Sequence, residues 1–395
     1  MILAQHGWAK TNRIETGLTE GTVGGVVVSP KDMGLGSLET YMRQLAIDYP
    51  QADIYFDPQF YATVFDNRKI GKLDQYPYFP SRPLRRGQLS NASGVRPHVE
   101  RTLDYQMLRP VKALISPSIM TDSLSDRWHR IAMTFASESA AYHSVRGFNK
   151  DLLITTAIDE SCLRDLNAVE NFLDELTSLD VAGFYIVIRR DGMVYPAATD
   201  SVALTNLLFL VYSLSELNEY RVICGYSDFI GLALVAVGGQ SMATGWYHTL
   251  RQFTMRRWQI STGGSPANPR YSSGPLINSV LVSPEMDALF DANMHTRVIS
   301  GTSRDGDFVA SRGSSVVWTE QQSQLHHWEV LQALHSDIVA AGVLQNRIDL
   351  LKNKVELALD IYDDADAAGV TFRAESGRRE LNTMSESLED FEDLI

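Results

Sequence analysis

Residues 221–258 read RVICGYSDFIGLALVAVGGQSMATGWYHTLRQFTMRRW, and the fold turns on how this stretch is parsed. One apolar run ends at Gly225-Tyr226-Ser227-Asp228 and a second at Gly238-Gly239-Gln240; a helix carrying Trp246, Tyr247, Leu250 and Phe253 is expected to start near Thr244. Buried strands that stop at small and polar residues, with room for a short apolar helix between them, are how adjacent parallel strands present a ligand-facing rim. The stretch therefore predicts two successive strands of an α/β fold.

Upstream, the same unit recurs. Strands are predicted at 24–30 (GGVVVSP), 52–61 (ADIYFDPQFY), 111–120 (VKALISPSIM), 151–160 (DLLITTAIDE) and 183–191 (GFYIVIRRD). Apolar residues at helical spacing fill the intervals, with Leu38, Tyr41, Met42 and Leu45 following Ser37, and Trp128, Ile131, Phe135 and Tyr142 within 124–144. Buried strands alternating with helices imply a parallel sheet with right-handed crossovers. With 275–285 (PLINSVLVSPE) as an eighth strand, the units close a (β/α)8 TIM-barrel-like fold over residues 1–285. Residues 62–95, rich in Pro, Gly, Ser and Arg, interrupt it as a long loop suited to a lid or an interface. Its Arg82, Arg85 and Arg86 beside Tyr76, Tyr78 and Phe79 form a basic–aromatic patch of the kind that stacks bases.

Past residue 285 the pattern changes to an irregular, β-prone segment, 286–318, containing RVIS, DFVAS and SSVVW. A C-terminal helical extension, 319–375, then carries a stripe through Leu325, Trp328, Leu331, Ile338, Ile348, Leu351, Val355 and Tyr362, broken near Gly342. It fits a helix pair packed on the barrel, or a coil that dimerises or docks a protein partner. The acidic end, 376–395, is expected as a disordered tail, with Leu381, Leu388, Phe391 and Leu394 as anchors should it dock.

The 395 residues carry a formal net charge of −13, which argues against unspecific nucleic-acid binding while leaving room for a local basic groove. Two cysteines without a CxxC or Cys/His cluster argue against a disulfide framework and the usual structural zinc site. No apolar run has the roughly 18 residues of a membrane span, and no basic-then-apolar leader opens the chain. A cytoplasmic protein is expected.

In a barrel, chemistry gathers at the strand carboxyl ends. Asp57, Asp159 and Asp228 are the acid–base or nucleophile candidates there, Asp57 because it closes an apolar strand and precedes Pro58, which restricts its backbone. Gln59, Arg189, Tyr226 and Gln240 would touch substrate. Gly238 and Gly239, before the predicted helix, are placed to offer backbone amides to a phosphate, with Arg251 following. The plainer alternatives are turn and helix caps for the aspartates and a tight strand-to-helix turn for the glycines. His326, His327 and His335 lack a third ligand at metal spacing, so no metal site is predicted, and no cofactor can be named.

Several short pieces resemble the tRNA-guanine transglycosylases, which are barrels. They are Ser283-Pro284-Glu285, the Arg304-Asp305-Gly306-Asp307-Phe308 stretch, Leu325-His326-His327, and Asp159-Glu160-Ser161-Cys162. The pieces span about a quarter of the chain. The family's cysteine zinc cluster has no counterpart, and of its glycine-rich motif only Gly238-Gly239 is present. The resemblance implies a nucleoside or nucleic-acid substrate. Two function classes follow: a barrel enzyme acting on a nucleotide, nucleoside or nucleic acid, or a non-catalytic subunit docking a protein partner, or a second copy of itself, through 319–395.

Overall fold

The computed structural model describes residues 1–8, 11–66, 68–192, 195–259, 268–312 and 317–395. Eight strands, all parallel, form one sheet: β1 (Ile2–Gln5), β2 (Gly25–Val28), β3 (Asp53–Phe56), β4 (Ala113–Ile115), β5 (Asp151–Asp159), β6 (Gly183–Arg189), β7 (Arg221–Gly225) and β8 (Ser241–Thr244). Their order, β3-β2-β1-β8-β7-β6-β5-β4, curls into a nearly closed barrel. At the β3/β4 seam the Lys112 amide donates to the Ile54 carbonyl at 2.8 Å. Helices alternate with the strands: α1 (Arg13–Glu20), α2 (Leu35–Asp48), α3 (Ala92–Met107), α4 (Arg127–Arg146), α5 (Leu166–Thr177), α6 (Ser201–Tyr212) and α7 (Gly231–Ala236). Side-chain caps start α3 to α6: Asn91, Asp126, Asp165 and Asp200 each accept from an amide of the first turn. The TIM-barrel-like fold expected from the sequence is the fold observed.

Three parts of the strand assignment change. The N-terminal ILAQ is β1, paired with both β2 and β8. The run GLALVA is helix α7, because six apolar residues buried on every side satisfy a helix as well as a strand. The eighth strand is SMAT (Ser241–Thr244), where a helix was expected to begin, and it pairs with β1 and β7. Residues 275–285 instead contribute β10 (Asn278–Leu281), antiparallel to β9 (Arg270–Ser273) in a separate two-stranded ribbon.

After β8 the chain leaves the barrel for that ribbon and for short helices α8 (Asp287–Asp291), α9 (His295–Val298) and α10 (Asp305–Ala310). RVIS and DFVAS thus lie largely in helices rather than strands, while most of SSVVW lies outside the described residues. The chain returns as α11 (Glu320–Ala340), which packs against α7, α1 and β9 and fills the eighth place in the ring of helices. Trp328 fixes it there: fully buried, its indole N–H donates to the Thr244 carbonyl at 3.2 Å. Helix α12 (Leu344–Ala367) follows on the outside. The acidic end is not a disordered tail but helix α13 (Arg379–Leu394), seated on α6 and α12 with Leu381, Met384, Leu388 and Phe391 buried. Their spacing of three and four makes one apolar face, which outweighs the acidity of the other.

In the 62–95 loop, Tyr76 and Tyr78 are core rather than a stacking platform. Their rings pack on Phe56 and Tyr105, and their hydroxyls donate to the Met33 and Pro58 carbonyls. Only Arg82, Arg85 and Arg86 of that patch face solvent. Among the described residues, no helix is long and apolar enough to cross a membrane.

Candidate functional site

The carboxyl ends of β2, β3 and β7, with Tyr185 from within β6, converge on Asp57, which is fully buried. One of its carboxylate oxygens accepts from the Gln59 amide at 2.9 Å; the other accepts from the hydroxyls of Tyr61, Tyr185 and Tyr226 at 2.8, 3.3 and 3.3 Å. Room for Tyr185 comes from Gly225 at the end of β7, where a Cβ would lie 2.6 Å from the Tyr185 hydroxyl oxygen. The Gln59 amide group donates to Ser29 at 2.7 Å and Tyr226 at 3.3 Å, and accepts from the Lys31 backbone at 3.1 Å. Gln59 and Tyr226 both hold left-handed backbone, at φ 51° and 52°, a cost that ordinary side chains avoid unless the surroundings impose it.

Across these groups lies Arg257, from the segment after β8. Its guanidinium donates to the Tyr226 hydroxyl at 2.9 Å and the Ser29 hydroxyl at 3.1 Å, and forms an ion pair with Asp32. Lys31 stands 3.9 Å from Asp32 and 5.2 Å from the Trp258 ring centroid. The electrostatics follow from this packing. Burial pushes the Asp57 carboxyl up to about 6, against the pull of the Gln59 amide, the Tyr61 hydroxyl and the Arg257 charge. Burial, with the Arg257 charge, lowers Lys31 to about 8. Burial would also raise Asp32, but Arg257 and Lys31 hold it below the usual carboxylate range. The mouth thus holds a carboxyl and an amine whose ordinary values have been drawn toward neutrality, the condition that acid–base chemistry needs.

Asp228, three residues past β7, anchors a second network. It contacts the Tyr195 hydroxyl and lies 3.2 Å from His327 Nε2, while His327 Nδ1 is 2.9 Å from the Ser272 hydroxyl of β9. Burial would raise Asp228; His327, Arg251 and Tyr195 hold it well below the usual range. Burial and Arg251 lower His327 to about 4, so the pair carries a single negative charge near neutral pH. A cavity of about 50 Å³ beside Asp228 is closed by Arg190, Arg251, Asn278 and Glu380.

The sequence candidates therefore fall into separate places. Asp57, Gln59 and Tyr226 come together in the mouth. Asp228 and Arg251 line the neighbouring cavity. Asp159 is tied up with Arg189 at 2.6 Å, which also reaches Asp122 and Asp191, while Glu160 pairs with Arg190 at 2.7 Å. Gly238, Gly239 and Gln240 precede β8 and so sit at the opposite end of the barrel from Asp57. A strand, not a helix, follows them, so no helix N-terminus is formed there. Gly238 has φ +115°, and a Cβ would meet Ser215 Oγ at 2.4 Å, which accounts for glycine by close packing. Sequence inspection did not select Asp32, Tyr61, Tyr185 or Arg257. Tyr61 had a signal, four residues after Asp57 in the same strand-end segment, whereas Arg257 and Asp32 meet only through the closed barrel.

Among the described residues, no group of three or more His, Cys, Asp or Glu is placed to hold a metal ion. No protein-family model matches the chain, and no curated protein matches it in sequence. The fold defines it as a TIM-barrel-like protein, with a buried cluster of ionisable side chains at the strand ends. The pieces that resemble the transglycosylases have local roles here: Glu285 accepts from the Leu281 and Arg373 amides at 2.6 and 2.8 Å, and Arg304 pairs with Glu20 and Glu329.

Proposed function

We propose that the protein is an enzyme acting on a nucleoside, nucleotide or nucleic acid at the carboxyl-end mouth of the barrel, with Asp57 as its general base or nucleophile. The observation that carries this is a fully buried carboxyl at a barrel strand end, raised to about 6 and held by three tyrosine hydroxyls. Near neutral pH most of it is ionised, yet it takes up a proton readily. Lys31, lowered to about 8, is the complementary proton donor. Arg257 and Gln59 orient Tyr226, and Tyr61, Tyr226, Phe253 and Trp258 pack on one another as an aromatic wall beside Asp57. The resemblance to transglycosylases supports the same substrate class. Both cysteines are buried and free, which suits work in a reducing compartment such as the cytoplasm. Docking through the acidic end is not proposed, since its apolar anchors Leu381, Leu388 and Phe391 are buried within the chain.

The test is native mass spectrometry of gently purified protein to identify a retained ligand, followed by turnover of that ligand and of a nucleoside, nucleotide and short-RNA panel. Asp57→Asn should lower turnover by about 100-fold or more, the scale of general-base catalysis, while binding persists. Undiminished turnover in that variant would overturn the assignment.

A further inference from the structure

Beside the mouth, the segment after β8 also walls a second hollow, an open cleft of about 300 Å³. Trp246, Tyr247, His248 and Arg251 line it from that segment, Arg270 from β9 and Glu320 from the start of α11. Arg251 is 6 % exposed. Its Nε donates to the Gly245 carbonyl at 2.8 Å, and among the described residues no carboxylate lies within 4 Å of its guanidinium. Asp228 feels its charge but contacts Tyr195 and lies 3.2 Å from His327 rather than pairing with the guanidinium. A guanidinium removed from water without an ion pair is costly unless something else meets it.

The neighbouring charges point the same way. Arg270 lies 13 % exposed, donating to the Ser279 carbonyl and the Ser376 hydroxyl at 2.6 and 2.9 Å, with Glu375 3.6 Å away. His248 stacks on Tyr195 at 4.1 Å; burial, then Arg251 and Arg270, lowers it to about 3, so it is neutral at physiological pH and adds no charge of its own. Glu320, at the exposed end of α11, is engaged by Gln324 at 2.8 Å.

We infer that this cleft binds a phosphate group of the substrate, with Arg251 as its principal anchor, Arg270 as a second cation and Trp246 and Tyr247 as apolar walls. A guanidinium fork matches phosphate oxygens in pairs, and the cleft is open enough to admit them. This site rests on the reading of the mouth above for its substrate, and the chain itself joins the two. Two residues beyond Arg251, Phe253 packs on Tyr61 and Tyr226 at 5.1 and 5.2 Å, and Arg257 follows in the mouth. One segment thus carries the phosphate anchor on one side and the wall of the reaction site on the other. The phosphate belongs either to a mononucleotide or to a nucleic-acid strand, and the two sources separate experimentally.

The full chain would be titrated calorimetrically with inorganic pyrophosphate and with a single-stranded oligonucleotide of eight nucleotides, at low and physiological salt. Wild type should bind pyrophosphate, Arg251→Gln should weaken binding about ten-fold or more, as loss of one charge-assisted contact implies, and Asp57→Asn should leave it unchanged. If the source is a strand, the oligonucleotide binds as well, and Arg251→Gln makes the slope of log affinity against log salt shallower by about 0.7. If it is a mononucleotide, pyrophosphate binds and the oligonucleotide does not. Should the glutamine variant fail to fold, Arg251→Lys, which keeps the charge but loses the fork, should still weaken binding. Failure of wild type to bind either probe, or unchanged affinity in the folded Arg251 variants, would overturn the site. Normal phosphate binding with undiminished turnover in Asp57→Asn would instead overturn the mouth and leave the cleft standing.

Discussion

Replacing Asp57 by Asn should stabilise the protein at neutral pH, by an amount the structure sets. The carboxyl moves from its ordinary value of 3.8 to about 6 on folding, mainly because burial disfavours its charge. At about 1.36 kcal/mol per pH unit, keeping Asp57 ionised in the folded barrel costs about 3 kcal/mol. The folded state binds the extra proton between the two values, so this group's contribution is most favourable below 3.8 and is lost as pH rises through 6. Asparagine is close in shape to the protonated acid: its oxygen can accept from the Gln59 amide, and its amide can donate to tyrosine hydroxyls that turn to receive it. The variant should therefore match wild type near pH 4 and exceed it by about 2 to 3 kcal/mol at pH 8. Urea unfolding followed by tryptophan fluorescence at unit pH steps measures the difference, in which groups titrating alike in both proteins cancel. An advantage independent of pH, or a variant less stable than wild type at pH 8, would refute the account of Asp57 as a strained carboxylate retained for function.

Further outcomes follow from the same contacts. Arg257→Gln leaves buried Asp32 with only Lys31 at 3.9 Å and should cost about 3 kcal/mol, partly restored by adding Asp32→Asn; urea midpoints of the four-protein cycle check it, and strict additivity would speak against the pair. Phe391→Ala removes a fully buried ring packed 5.6 Å from Tyr212. It should cost about 3 to 5 kcal/mol and speed hydrogen exchange in 379–394, whereas unchanged exchange there would deny that α13 is part of the folded body. Gly238→Ala forces a Cβ toward Ser215 at positive φ and should lower stability by about 1 to 3 kcal/mol. Pyrophosphate affinity should stay unchanged in it, because Gly238 is at the far end of the barrel; a selective loss of that affinity would return the phosphate to the glycine pair.

The strands that sequence inspection located are those whose burial is written in their composition. GVVV, DIYF, the long DLLITTAID and RVICG are largely β-branched or apolar runs bounded by turn residues, and the ends of DIYF and RVICG place Asp57 and Tyr226 in the mouth. The strands it missed carry no such mark. ILAQ and SMAT are only four residues long, mix small, polar and apolar side chains, and contain no β-branched run. GLALVA shows the converse: all of its residues are buried, so periodicity cannot tell helix from strand. Helix α11 hid its role for a topological reason. The ribbon and α8 to α10 separate it from β8, so nothing local identifies Glu320–Ala340 as the eighth barrel helix.

The same distinction explains the site. A strand-end rule can find Asp57, Gln59 and Tyr226, since each lies within three residues of a strand terminus. It cannot find their counter-charge. Asp32 follows β2 and Arg257 lies 13 residues past β8 in a segment with no regular period, so their ion pair exists only once β8 has paired with β1 and closed the barrel. Closure is therefore what completes the electrostatics of the mouth. Without Arg257 opposite, Asp32 would keep only Lys31, 3.9 Å away, against a burial cost like that of Asp57. The β1/β8 pairing thus couples barrel closure to assembly of the reactive cluster, because it joins the β1–β3 side, which carries Ser29, Asp32 and Asp57, to the β6–β8 side, which carries Tyr185, Tyr226 and Arg257.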